Sequence, residues 1–330
     1  MNPARRLYRR SHRLRRFIRR RKDAITYHAA RLAMWLPRQV SLERALRFAD
    51  RIGDLIYAWD RKTRERALAH LDLAYGDELS AAAKEGIARG ALRNAARCFV
   101  EVTHMDEIRA RFDEYVTIEG WEHVHAVLAA GQGAIVATGH IGNWEVLAAY
   151  FAGRGIPIAG IARRMNDPRL NQLLVDYRAH NGVRTIMRES SSSGREIIQV
   201  LRGRGVLALL IDQDLLAPSV SVPFFGRPAR TPVAAATLAV RRRIPIVPAF
   251  AERRPEGGHR LIVRAPLYPP ADGDRRTAVV ELTRRCNEIF EEQVRHKPEE
   301  WVWWHKRWRR KPIPRLDLDA DITYQNTVLS

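Results

Sequence analysis

Cysteine is almost missing from this chain: two residues in 330, Cys98 and Cys286, far apart and without metal-ligand spacing. That excludes a disulfide scaffold and a zinc site and leaves the redox compartment open. Long hydrophobic runs are missing as well. A confident membrane span needs roughly 18 uninterrupted apolar residues, and the best stretch, 24–36, is broken by His28 and Arg31. The same stretch is too short and punctuated for a signal peptide, and no small-residue cleavage site follows it. Negative charge is scarce: 37 Asp and Glu face 57 Lys and Arg, leaving a net +20. Such a balance favours an anionic partner, whether nucleic acid, a phospholipid surface, or an acidic protein or substrate.

Several catalytic templates are absent too. There is no Gly-x-Ser-x-Gly elbow, no Walker A or Gly-x-Gly-x-x-Gly after a strand, and no His-Glu-x-x-His. No repeat and no long Pro/Gly/Ser linker divides the chain. What is present, 46% apolar and 28% charged residues, is the composition of a globular protein and excludes disorder.

The basic excess is concentrated at the start, where Met1 to Lys22 holds eleven Lys or Arg and no acid, with Trp35 further on. A segment lying on an anionic membrane would gain about 1 kcal/mol per cation near the surface. A solvated or nucleic-acid-binding arm fits that run equally well.

After Pro37 the pattern turns helical. Ser41 is placed to cap a helix carrying Leu42, Ala45, Leu46, Ala49, Ile52, Leu55, Ile56 and Trp59. A second helix is predicted over 80–102, with Cys98 as a small core residue, and a third over 120–130. From Ala134 short apolar runs at 134–138, 156–161, 206–211, 245–250 and 261–265 alternate with helix-like stretches at 145–153, 168–180, 194–203 and 232–242. The serines 190–193 read as a loop capping the next helix. Continuous apolar strands separated by helices predict an α/β fold, with a mainly parallel central sheet flanked by helices behind a helical, membrane-associating N-terminal section. The expected organisation is a basic N-terminus over 1–40, an α/β domain over 41–312 and a tail over 313–330.

The chemistry concentrates at 134–152. A buried strand ends at Thr138, a turn with Gly139 and Gly142 follows, and a helix opens near Trp144. Ligands of open α/β sheets bind outside the carboxyl ends of the strands, where this turn lies. His140 stands at the strand end and Glu145 in the first helical turn. A carboxylate against the imidazole would fix its tautomer and raise its basicity, leaving the other nitrogen to take a proton from an attacking hydroxyl. The same spacing also suits a strand-end His beside a Glu favoured by the helix dipole. With no Ser or Cys nucleophile beside the base, direct transfer without a covalent intermediate is expected.

Gly-His-Ile-Gly-Asn-Trp-Glu at 139–145 resembles the signature of the bacterial lipid A biosynthesis acyltransferases, within the lysophospholipid acyltransferase superfamily. Further segments agree in order: Ala-Arg-Arg-Met-Asn-Asp-Pro-Arg-Leu-Asn at 162–171, Ile-Asp-Gln-Asp at 211–214, Val-Pro-Phe-Phe-Gly-Arg-Pro-Ala-Arg-Thr at 222–231 and Trp-Val-Trp-Trp-His-Lys-Arg-Trp at 301–308. The resemblance covers roughly 40–310. It departs at the N-terminus, where many members carry a clear spanning helix. It implies transfer of a fatty acyl chain from a thioester, acyl carrier protein in preference to coenzyme A, to a hydroxyl of a lipid A precursor in lipopolysaccharide biosynthesis. It places the enzyme on the cytoplasmic face of the bacterial inner membrane, with no cofactor and no metal.

Carried over by position, His140 is the general base and Glu145 its partner. Arg163, or Arg164 one register along, binds an acceptor phosphate; a surface charge after a strand is the plainer reading of both. Asn143 and the Gly142 amide are candidates for polarising the thioester carbonyl, and Asn143 equally for capping the helix. Asp212 and Asp214 line the cleft or serve as a cap or a salt bridge. Trp301, Trp304 and Trp308 would share one helical face, among Lys306, Arg307, Arg309 and Arg310, at a membrane interface or against the core. His305 is expected to be structural. The expected partners are acyl carrier protein, anionic lipid and a phosphorylated glycolipid acceptor. The same chemistry on a phosphatidylinositol mannoside or a lysophospholipid is the nearest alternative. A basic nucleic-acid-binding protein is the alternative of another class, and no nucleic-acid-binding signature supports it.

Overall fold

The structure, a computed structural model, describes residues 21–215 and 217–308. Most of the N-terminal arginine run, Arg309, Arg310 and the 313–330 tail lie outside them. The chain enters through helix α1 (21–35) and a 3-10 turn, Leu36–Gln39. Helices α2 (Leu42–Trp59), α3 (Arg61–Tyr75), α4 (Ala81–Thr103), α5 (Met105–Ala110) and α6 (Phe112–Tyr115) follow. Ser41 occupies an N-cap position as predicted, and Ser80, expected as the first residue of the next helix, caps it instead, its hydroxyl accepting from Ala83 N. Helix α2 lies on α4 through the small residues Ala45, Ala49 and Gly53. A Cβ on Gly53 would meet the Arg93 backbone at 2.5 Å, so the close crossing requires glycine.

The α/β region then runs β1 (Val116–Glu119), α7 (Trp121–Ala129), β2 (Ala134–Thr138), α8 (Trp144–Gly153), β3 (Ile158–Ala162), α9 (Pro168–His180), β4 (Val183–Met187), α10 (Ser193–Arg202) and β5 (Val206–Leu210). It continues with β6 (Ser219–Phe224), β7 (Arg227–Pro232), α11 (Ala234–Arg242), β8 (Ile246–Arg253), β9 (His259–Val263) and α12 (Arg275–His296). Seven strands form one sheet in the order β1-β9-β8-β2-β5-β3-β4. All neighbours are parallel except β8 and β9, so the sheet is mainly parallel, as expected. Strands β6 and β7 form a separate antiparallel hairpin.

Strand β2 is buried along its whole length, because helices cover both sides. Its alternate residues feed two cores: Ile135 and Ala137 point into the layer of α3, α11, α12 and the hairpin, and Ala134 and Val136 into the layer of α2, α7 and α8.

The C-terminal segment overturns an expectation. Residues 301–308 form no helix: α12 ends, Pro298 opens a short 3-10 turn, and Trp301 leaves it with extended backbone. Neighbours two apart then point the same way, so Trp301 and Trp303 are both buried in the α12-side core, and Trp304 and Trp308 pack against it. The tryptophans are core residues, not a stripe facing outward. Arg307 is buried as well, its guanidinium donating to the Arg230 carbonyl, Thr231 and Asn287. No helix among the described residues is long and apolar enough to cross a membrane.

Candidate active site

Strands β2 and β5 are neighbours, and their last residues, Thr138 and Leu210, are partners in the ladder. Two residues beyond each come His140 and Asp212. Equal steps from a matched pair bring two side chains 72 residues apart into contact: His140 Nδ1 donates to Asp212 Oδ1 at 2.8 Å. The other oxygen, Oδ2, accepts from the His140 backbone N–H at 2.7 Å and from Trp301 Nε1 at 2.9 Å. Burial would by itself raise the Asp212 pKa, but the charge on His140 and these three donors hold it well below the usual carboxylate range. A carboxylate against Nδ1 fixes the proton there and leaves Nε2 as the acceptor. The imidazole is partly open to solvent, 19% of its side-chain surface.

The turn that presents His140 is tightly held. Gly142 has φ +56°, and a Cβ there would lie 1.5 Å from the Ala251 carbonyl oxygen on β8, so only glycine fits. Its N–H donates to the Glu300 carbonyl at 3.0 Å, and Val302 N donates to the His140 carbonyl at 3.2 Å. The Gly142 amide is therefore spent on backbone pairing, and the expectation that it polarises a thioester carbonyl fails. Asn143 fails in that role for the same reason. Its Oδ1 caps α8 by accepting from Glu145 N and Val146 N, and its Nδ2 donates to Glu101 Oε2 at 2.8 Å. The capping alternative is the one realised.

The expected His140–Glu145 contact is not formed. Glu145 turns away under α8 and takes Arg178 of α9 at 2.5 Å and 3.2 Å, both side chains largely buried. Burial opposes the Arg178 charge, but Glu145 raises its pKa nonetheless. This pair closes one side of a slot between α8 and the sheet, a cavity of about 30 Å³ whose walls include Trp144, Ala148, Gly160 and Leu210.

Arg163 and Arg164 lie exposed on the loop after β3, with Arg164 N donating to Glu189 at 3.0 Å; neither touches the His140–Asp212 pair. Asp214 is buried, its carboxylate 3.8 Å from Arg230 and its N–H donating to the Lys306 carbonyl. Three further residues surround His140. Trp144 meets its ring edge-on at 4.8 Å, His305 at 4.6 Å, and Gln213 Nε2 lies 3.1 Å from Nε2 and also contacts His305. His305 is thus at the site, not merely structural. Burial first, then the charge on His140, pushes its pKa down to about 4, so it is neutral at physiological pH. The sequence signal for His305 and Trp301 was their shared block at 301–308, and for Gln213 its place between two strand-end acids.

Two curated relatives are phosphatidylinositol mannoside acyltransferases. That of Mycobacterium tuberculosis is 30% identical over 58% of this chain and 59% of its own length. That of Mycolicibacterium smegmatis is 25% identical over 68% of this chain and 73% of its own. The chain thus spans about three fifths of the M. tuberculosis protein it matches. Among solved structures, the 1-acyl-sn-glycerophosphate acyltransferase PlsC from Thermotoga maritima is similar over 60% of this chain and 83% of that chain, with 18% identity and a TM-score of 0.33. The model of the bacterial lipid A biosynthesis acyltransferases matches residues 17–310, which takes in α1 to α12, the His140 turn and the tryptophan block: the chain belongs to this family.

Proposed function

We propose that the protein transfers a fatty acyl chain from a thioester to a hydroxyl of a phosphorylated glycolipid. The observation that carries the reading is the His140–Asp212 pair at the carboxyl edge of the parallel strands. Among the described residues the side chains against the His140 ring are Asp212, Gln213, Trp144 and His305, with no Ser or Cys nucleophile, which suits direct attack by the acceptor. His140 Nε2 takes the acceptor's hydroxyl proton as its oxygen bonds to the thioester carbonyl carbon. Asp212 stabilises the imidazolium that forms. Collapse of the tetrahedral oxyanion breaks the C–S bond, and the departing thiolate receives the proton back from His140.

Acyl carrier protein is the donor we favour over coenzyme A, because an acidic carrier matches a chain of net +20. The exposed Arg163 and Arg164 are the candidate place for an acceptor phosphate. A lipid A precursor is the acceptor that the family's description supports. The names of the curated relatives favour a phosphatidylinositol mannoside as the second reading.

Placement on an anionic membrane, the cytoplasmic face of an inner membrane, is supported by the outer face of α2. Phe48, Ile52, Leu55, Ile56 and Trp59 follow helical spacing and are exposed, Trp59 at 83%. Asp50 and Asp54 are neutralised by Arg97 and Arg93 of α4, while Arg44, Arg47 and Arg51 stay exposed beside the apolar stripe. That is the make-up of an interfacial helix. On α1, Ile25, Leu32 and Trp35 are exposed too, and Tyr27 stacks under Arg169 at the start of α9, at the sheet edge that carries His140.

The test is mass spectrometry of candidate acceptors incubated with acyl–acyl carrier protein or acyl–coenzyme A on anionic vesicles. Lipid A precursor, phosphatidylinositol mannoside and lysophospholipid would be offered together. One acceptor should gain the mass of one acyl chain, and His140→Ala should abolish the gain, a loss of about 10³-fold or more. Absence of transfer from either donor to any acceptor by folded, vesicle-bound protein would sink the proposal.

A further inference from the structure

The Asp212 carboxylate accepts three N–H groups, and two of them come from His140 itself. The third is the indole of Trp301, 89 residues downstream, which reaches Oδ2 at 2.9 Å. Its position is over-determined. The ring is buried against Phe224 and Trp303, with centroids at 5.5 Å and 4.7 Å. Its backbone bridges Ile141, and the residues on either side are laced to the same turn through Glu300 O with Gly142 N and Val302 N with His140 O. The segment that holds the indole therefore also holds the turn that presents the imidazole.

We infer that Trp301 is a positioning residue for the His140–Asp212 pair: its N–H pins the carboxylate in the plane the imidazole needs and limits how strongly that carboxylate pulls on the imidazole proton. Each donor on a carboxylate disperses its charge and weakens it as a base. Without the indole N–H, Asp212 Oδ1 bonds Nδ1–H more tightly and favours the imidazolium, so a higher pH is needed to free Nε2. The charged and titratable groups that face the pair are His305, which burial keeps neutral, and Arg307 and Asp214 behind it, with Arg66 and His70 acting on His305. Trp301 carries no charge, so its loss changes the hydrogen bond and not the surrounding field.

The inference rests on the acyl-transfer reading only for its kinetic arm, and the test separates the two. Proton NMR of the resting full-length protein reads the downfield Nδ1–H of His140, identified by its loss in Asp212→Asn. In Trp301→Phe that resonance moves further downfield, the acidic limb of the kcat/KM profile moves up by about half a pH unit or more, and kcat falls about tenfold with little change in KM. Trp303→Phe is the control: it removes an equally buried indole, which donates to Pro298 O at 2.7 Å, and leaves both signals in place. Should Trp301→Phe not fold, 3-benzothienylalanine at position 301 removes the N–H while keeping the ring's shape. An unmoved resonance, or an equal movement in Trp303→Phe, would overturn the inference. A moved resonance without any acyl transfer in the wild type would uphold it while rejecting the acyl-transfer reading.

Discussion

Asp212 and Glu101 are both sealed in the interior, and each bonds a histidine. Asp212 accepts from His140 at 2.8 Å, and Glu101 meets His259 Nε2 at 3.0 Å. The surroundings separate them. Glu101 is also bound by Arg253 at 2.5 Å and 3.0 Å, by Tyr115 at 2.8 Å and by Asn143 at 2.8 Å, and the His259 side chain is fully enclosed. Burial disfavours the Glu101 charge, yet the Arg253 guanidinium and His259 hold its pKa well below normal. Among the described residues no guanidinium is hydrogen-bonded to Asp212, and its imidazole is partly open to solvent. A carboxylate–histidine contact is thus a structural lock where a guanidinium already balances the charge and the ring is closed in. It is a proton-handling pair where the ring itself must answer the charge and has a free face.

Replacing each carboxylate by its amide breaks the comparison most sharply. Asp212→Asn should lower kcat by about 10³-fold while the thermal midpoint holds, because an amide can stabilise the wrong tautomer but not the imidazolium. Glu101→Gln should do the reverse. It leaves Arg253 buried and unbalanced, so denaturant unfolding should show a loss of about 3–5 kcal/mol, with turnover per folded molecule little changed. Equal losses of activity in the two folded variants would erase the distinction.

Glu300 links the two centres and sharpens the contrast through pH. Its carbonyl holds Gly142 N, and its carboxylate accepts Arg253 N at 2.9 Å and 3.1 Å. Burial raises its pKa from an ordinary value of 4.5 to about 7. Between those values the folded chain holds the proton that the unfolded chain has released, so this group makes stability fall as pH rises from about 4.5 to about 7 and then level off. Thermal melts across that window should show the fall in the wild type and a flatter profile in Glu300→Gln, with a difference of a few kcal/mol at most.

Much of the frame was legible in the residues. Strand β2 and helix α9 were read to the residue, because an all-apolar run of five, and a stretch opened by Asp167-Pro168 and closed by Asn181-Gly182, leave little choice of element. Other elements were hidden by their chemistry. Strand β4 carries Arg184, and the β6–β7 hairpin carries Pro223, Pro228 and Pro232. Helix α12 is so rich in charge that the four-residue spacing of Leu282, Cys286, Phe290 and Val294 is masked. The strand at 156–161 starts two residues later, at Ile158. At the site, local spacing pointed to Glu145, five residues from His140. The carboxylate that arrives is set by which strand lies beside β2, and strand order is not written in any short window. The tryptophans show the same limit: an i, i+3, i+7 pattern implies a shared face only if the backbone is helical, and here Trp301 leaves the short turn at Pro298–Glu300 extended and no helix follows.

The in-register pairing of β2 with β5 has one more consequence. Everything between His140 and Asp212, from α8 through β3, α9, β4 and α10, is looped out to one side of that joint. Residues there can lengthen, shorten or change charge without altering the distance from His140 to Asp212, provided Thr138 stays opposite Leu210. The exposed arginines after β3 belong to this excursion, as do Trp144, Ala148 and Gly160 in the slot under α8. On the proposed reading, acceptor preference and bond-making chemistry would be inherited on separable parts of one chain, and a lineage could exchange its acceptor without rebuilding its base.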